Sequence, residues 1–125
     1  MFSIFKKTKK EDYYESLGYI EPEILDGMEQ EYEDIKLPKE ETKCGRYTFY
    51  APCDLTLSPQ ETISIPIGVD IELDNELFVL IYQGRVIEIL DKNQNGQILV
   101  KIFNDSNSDL QIEKGKPLIK GYVLL

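Results

Sequence analysis

The chain of 125 residues has no histidine and no tryptophan. Without histidine there is no Ser-His-Asp or Cys-His catalysis, no His-ligated zinc and no histidine pH switch. Cysteine is scarce: Cys44 and Cys53 lack the paired spacing of a zinc site and read as reduced structural thiols, with a disulfide as the alternative. No apolar run approaches the roughly 18 residues of a membrane span. Basic residues are also few, 14 against 23 acids, for a net charge of −9. Such a chain does not attract a phosphate backbone, so neither a membrane nor a nucleic acid is expected as partner. The start, MFSIFKKTKK, has no long apolar stretch and no small-residue cleavage site, so no secretory signal is expected and synthesis in a cytoplasm is.

What remains is enough for one domain: 42% of residues are hydrophobic and 30% charged. The charge is unevenly spread. Residues 1–10 hold four lysines, residues 11–41 hold twelve acids and two lysines, and residues 42–125 have a net charge of only −3. This divides the chain into an acidic N-terminal arm, 1–34, and a domain, 35–125. Apolar residues of the arm are sparse but at helical spacing, in Tyr13, Leu17, Ile20 and again in Ile24, Leu25, Met28. Helices this short do not stand alone in water, so the arm needs a surface, its own chain's or a partner's.

From Tyr47 onward the pattern is that of strands: TFYAP, DLTL, TISIPIGVDIEL, LFVLIY, RVIEIL, QILVKIF and PLIKGYVLL. The intervals are too short for crossover helices, which predicts an all-β domain of about eight short strands, closed as a barrel or sandwich. Asn95-Gly96, between RVIEIL and QILVKIF, predicts a hairpin over Arg85–Phe103.

Two segments carry a resemblance. One is Ala51-Pro52-Cys53-Asp54-Leu55, followed by Ser58-Pro59-Gln60-Glu61-Thr62 and Ile65-Pro66-Ile67-Gly68-Val69. The other is Gly96-Gln97-Ile98-Leu99-Val100-Lys101-Ile102-Phe103-Asn104, followed by Ile112-Glu113-Lys114-Gly115-Lys116-Pro117-Leu118-Ile119. In order and spacing they resemble the first motif and the later strands of the trimeric dUTPase (β-clip) family, and Ile35-Lys36-Leu37-Pro38 sits where that family's first strand would lie. The resemblance implies a dUTPase-like β-barrel, with a mostly helical or extended N-terminal arm, and a homotrimer.

The departures imply a degenerate member. The family's P-R-S-S motif is Gln83-Gly84-Arg85-Val86 here, and its G-x-I-D-x-D-Y-R-G motif is reduced to Ile89–Gly96. The glycine of the first motif is Pro52, which has no backbone donor, and no glycine-rich segment follows the last strand. In-line hydrolysis of a triphosphate needs a base, carboxylates for a metal, and donors for the phosphates. Asp91, Asp54 and Arg85 are single candidates for those roles. Each also has a plain reading: Asp54 and Asp91 as turn caps, Arg85 as a surface or subunit-interface residue. No catalytic residue, metal ligand or cofactor is therefore expected.

The resulting expectation is a non-catalytic trimeric module of a larger assembly, a bacteriophage virion decoration, head-fibre or tail component. Its arm would bind other virion proteins through Phe2, Phe5, Tyr13, Tyr14 and Leu17, and its last strand would supply trimer contacts through Pro117, Tyr122, Val123, Leu124 and Leu125. Pairing between subunits would protect that apolar strand, and closure of its own sheet would do so equally. The alternatives are a divergent dUTPase or other nucleotide pyrophosphatase, and an acidic inhibitor of a basic host protein acting through Glu29, Glu31, Glu33 and Asp34.

Overall fold

A computed structural model describes residues 4–18, 32–41 and 45–124. It is all-β, with ten strands: β1 (Phe5–Lys7), β2 (Lys39–Glu41), β3 (Arg46–Tyr50), β4 (Leu55–Leu57), β5 (Thr62–Ile71), β6 (Leu77–Tyr82), β7 (Arg85–Leu90), β8 (Gly96–Phe103), β9 (Leu110–Ile112) and β10 (Pro117–Leu124). A helix, α1 (Lys10–Ser16), follows β1. All pairings are antiparallel. They form a five-stranded sheet β2-β3-β10-β6-β7, a three-stranded sheet β1-β5-β8 and a ribbon β4-β9.

Alternation along the strands sets the core. In β8, Ile98, Val100 and Ile102 are buried while Leu99, Lys101 and Phe103 face out. In β6, Phe78 and Leu80 point inward to meet Phe49 of β3 and Ile119 of β10. The centre is a set of edge-to-face rings: Phe5 lies 5.5 Å from Phe49 and 5.4 Å from Phe78. Gly121 of β10 makes room for them, since a Cβ there would stand 2.2 Å from Phe78 Cζ. In β5 the register shifts between Pro66, which has no N–H, and Asp70. Gly68 in that bulge has φ +77°, and Ile35 packs so close that a Cβ would meet it at 2.7 Å.

Three expectations are corrected here. Residues 85–103 are not a hairpin: β7 pairs with β6, and β8 pairs with β5 in the other sheet. Asp91 caps a 3-10 turn, Lys92–Gln94, and Asn95 has φ −58°, which a type I′ turn excludes. The Asn95 side chain instead spans to Leu73, accepting from its N–H at 2.7 Å and donating to its C=O at 2.9 Å. It thereby pins the crossing between the sheets. Residues 35–38 lie outside the ladders, and the early strand is β2 at 39–41. Of the two placements open to the last strand, the structure shows closure of its own sheet: β10 runs centrally between β3 and β6, with both backbone edges paired. Finally, the arm is no separate body where it is described. β1 pairs with β5, Phe5 opposite Ile71, and Phe5 is only 7% exposed. The second expected helix, around Ile24–Met28, lies outside the described residues.

Candidate functional site

The resemblance places the first motif at Ala51–Leu55, and the structure opens a cleft beside it. The cleft, about 640 Å³, is lined by Glu33–Lys36 from the arm, Tyr50–Pro52 after β3, and Lys114-Gly115 from the β9–β10 turn. Its polar groups are occupied with one another. Asp54 Oδ1 accepts from the Lys114 N–H at 2.8 Å. The Ala51 N–H donates to Lys116 O at 2.9 Å, and the Gly115 N–H to Ala51 O at 2.8 Å. The Lys114 ammonium pairs with Asp34 at 3.0 Å. Pro52 contributes no donor. A phosphate would need amides and cations turned toward it; here the amides of Ala51, Lys114 and Gly115 tie the motif to the β9–β10 turn.

The three chemical candidates are not brought together. Asp54 does not line the cleft and is held as the acceptor of the Lys114 N–H. Asp91 accepts from Asn93 N–H at 2.8 Å and closes a capping box with Gln94. Arg85 pairs with Asp105 at 3.7 Å across a solvated surface, 81% and 64% exposed. Arg85 and Asp91 stand at opposite ends of β7, six residues or about 20 Å apart. Among the described residues no group of three or more Cys, Asp or Glu side chains is arranged to hold a metal ion. No helix among them is long and apolar enough to cross a membrane. Of the cysteines, Cys53 is half-buried after β3, and Cys44 lies outside the described residues.

The arm residues named for partner binding are placed against this chain instead. Tyr13 and Tyr14 are 2% and 0% exposed. They pack with Tyr32 at 6.0 and 6.1 Å between ring centres, and Lys7 lies 4.4 Å over the Tyr32 ring. Tyr14 Oη accepts from the Tyr32 N–H at 3.1 Å, and the Tyr32 hydroxyl donates to Thr8 O. Burial and the neighbouring Glu33 raise the Tyr32 pKa. Thr8 itself bonds Asp70 at 2.8 Å through its hydroxyl. Three of the five expected anchors, Phe5, Tyr13 and Tyr14, are thus consumed internally because the chain supplies the apolar surface they need. Leu17 is half-buried and Phe2 is outside the described residues. At the other end, Tyr122 and Val123 are half-buried, Pro117 and Leu124 exposed, and Leu125 is not described.

Sequence reasoning read Asn95 only as a hairpin turn residue and gave Asn104 no role of its own. Asn104 is 3% exposed and donates to the carbonyls of Leu57, Ser58 and Ser108 at 3.0, 3.2 and 2.8 Å. It joins the end of β8 to the β4–β5 turn. Its position at the end of the Gly96–Asn104 segment was the only signal.

Comparison with solved structures identifies the architecture. The dUTPase of Staphylococcus bacteriophage 80alpha aligns with a TM-score of 0.64 at 15% identity, over 71% of this chain and 82% of that one. A mutant dUTPase of phage phi11 of S. aureus gives 0.65 at 15%, over 74% and 84%. The Streptococcus mutans dUTPase gives 0.60 at 18%, over 70% and 84%. The fold is therefore dUTPase-like, shared with phage and bacterial enzymes, at an identity that fits a degenerate member. No family model matches the sequence, and no curated protein matches it.

Proposed function

We propose that this chain is a non-catalytic, homotrimeric dUTPase-like module serving as a structural component of a larger assembly, a bacteriophage virion decoration, head-fibre or tail part. The observation that carries the loss of catalysis is the use of the first-motif segment: Asp54 accepts from the Lys114 N–H, the Ala51 and Gly115 amides donate to the Lys116 and Ala51 carbonyls, and Asp91 and Arg85 lie at opposite ends of β7. Likeness in fold to phage dUTPases supports the phage setting. Docking to other particle proteins falls to the acid-rich part of the arm. There Glu11, Asp12, Glu15 and Glu33 are exposed, close in sequence to the Tyr13–Tyr14–Tyr32 cluster.

The test is light scattering on the full chain with and without dUTP and Mg²⁺, with released pyrophosphate measured in the same samples. A trimer without pyrophosphate is the expected result. Turnover would restore the enzymatic reading, that of a divergent dUTPase, and a monomer would remove the trimer. For the virion location, the chain is expected among the proteins of purified particles of the phage that encodes it; its absence there would overturn that placement.

A further inference from the structure

The edges of the two larger sheets are not equally guarded. An edge strand presents a row of unpaired N–H and C=O groups, which proteins blunt with short strands, lysine or proline. β1 and β2 are three residues long and charged, with Lys6 and Lys7 in one and Lys39, Glu40 and Glu41 in the other. β8 is longer but carries Lys101 on its exposed face. β7, the far edge of the five-stranded sheet, runs six residues without lysine, proline or glycine. One side of it pairs with β6; the other pairs with no described strand and meets no described loop through the backbone.

The side chains along this edge define what fits it. A bulge at Ile87, where Leu80 pairs with Glu88 but Ile81 with Val86, turns Val86 and Ile89 to the same outer face. They are 58% and 57% exposed. Glu88 lies on the opposite face, level with Leu80, exposed at the rim and in no ion pair with a described residue. A strand laid about 4.8 Å beyond β7 would place one side chain beside Ile89 and the next, on the other face, beside Glu88. The first position favours an apolar residue and the second a basic one. The net charge of −9 works against an acidic segment, this chain's own acid-rich residues 11–41 included. A second β7, laid antiparallel with Val86 against Ile89, would bring the two Glu88 side chains toward each other.

We infer that the free edge of β7 accepts an extended segment of a partner protein as an added strand, with an apolar side chain beside Ile89 and a lysine or arginine beside Glu88. This goes beyond the module proposed above and depends neither on its stoichiometry nor on its loss of catalysis.

The probe is a capped peptide of about six residues, valine alternating with lysine, added to the full chain and followed by backbone amide exchange. Salt at ~0.15 M screens long-range attraction. Exchange should slow at Arg85–Leu90 and stay unchanged at Lys39–Glu41. The same peptide with glutamate for lysine should bind about fivefold more weakly, and Glu88→Gln should cut that difference to about twofold or less. Ile89→Lys, which installs the missing guard, should weaken both peptides about tenfold and leave the melting temperature in place. Edge amides of β7 already slow in the chain alone would show that a second copy or the chain itself fills the edge, and would overturn the inference. Protection equal at β2, a preference indifferent to Glu88→Gln, or no protection at all would do the same.

Discussion

The two faces of the five-stranded sheet are built from the same strands and similar side chains, yet they end in different states. Inward, Phe49, Phe78, Leu80 and Ile119 are at most 1% exposed. Outward, Leu77, Val86, Ile89 and Leu124 keep between 42% and 58% of their surface. A one-sided antiparallel sheet normally turns polar residues to water. The outer face does so only on its β2–β3 side, where Glu41, Arg46, Thr48 and Lys120 meet. Its β6–β7 side has the composition of a second core whose other half the described residues do not supply. The inner face is completed from within, partly by Phe5 of the arm; the outer one stays exposed.

The strongest way to break the inner face is to withdraw the arm's contribution. Phe5→Ala removes a 7%-exposed ring that touches Tyr47, Phe49 and Phe78, and should cost about 4 kcal/mol in denaturant unfolding. A loss below about 1 kcal/mol would mean that β1 is only laid on the surface. Next is Gly121→Ala. Its Cβ would meet Phe78 at 2.2 Å and Phe49 at 2.9 Å, neither of which can move far in a packed core, so about 3 kcal/mol is expected. By contrast Ile89→Ser, on the outer face, should change subunit stability by no more than about 0.5 kcal/mol. If Ile89→Ser proved as damaging to the isolated subunit as Gly121→Ala, the contrast between the faces would fail.

Much of this was legible in the residues. Alternation in QILVKIF and LFVLIY marks strands and their buried members, and the spacing from Ala51 to Ile119 carries the dUTPase-like architecture. Connections were harder. Asn95-Gly96 is a strong local signal for a hairpin, but the bond from Asn95 to Leu73 joins residues 22 apart and overrides it. Phe5 lies in a lysine-rich stretch, and its partners are Tyr47, Phe49, Phe78 and Ile71, so nothing local distinguishes a core strand from a free anchor. The candidate site shows the same divide. Asp91 as a cap is read from its neighbours, whereas the 60-residue reach from Asp54 to Lys114 is visible only in the fold.

The polar side of the outer face provides the mildest test, because its contacts are solvated. Glu41 accepts from the Lys120 ammonium and the Thr48 hydroxyl, and Arg46 approaches at 3.9 Å. These partners, the Lys120 hydrogen bond foremost, hold the Glu41 carboxyl below its ordinary value of 4.5. A carboxyl lowered in the fold stabilises it above the unfolded pKa, and that contribution fades as pH drops through the folded one. Acidification from pH 6 to below 4 should therefore loosen β2 from β3, raising amide exchange at Lys39–Glu41 well before β10 or β6 respond. Glu41→Gln should show that faster exchange already at pH 6 and lose most of its pH dependence. Equal acid sensitivity in Glu41→Gln would mean that the strand is held by its backbone ladder alone. Because surface pairs contribute at most about 1 kcal/mol, the outer face would keep its shape either way, and the apolar patch beside it would still need a cover.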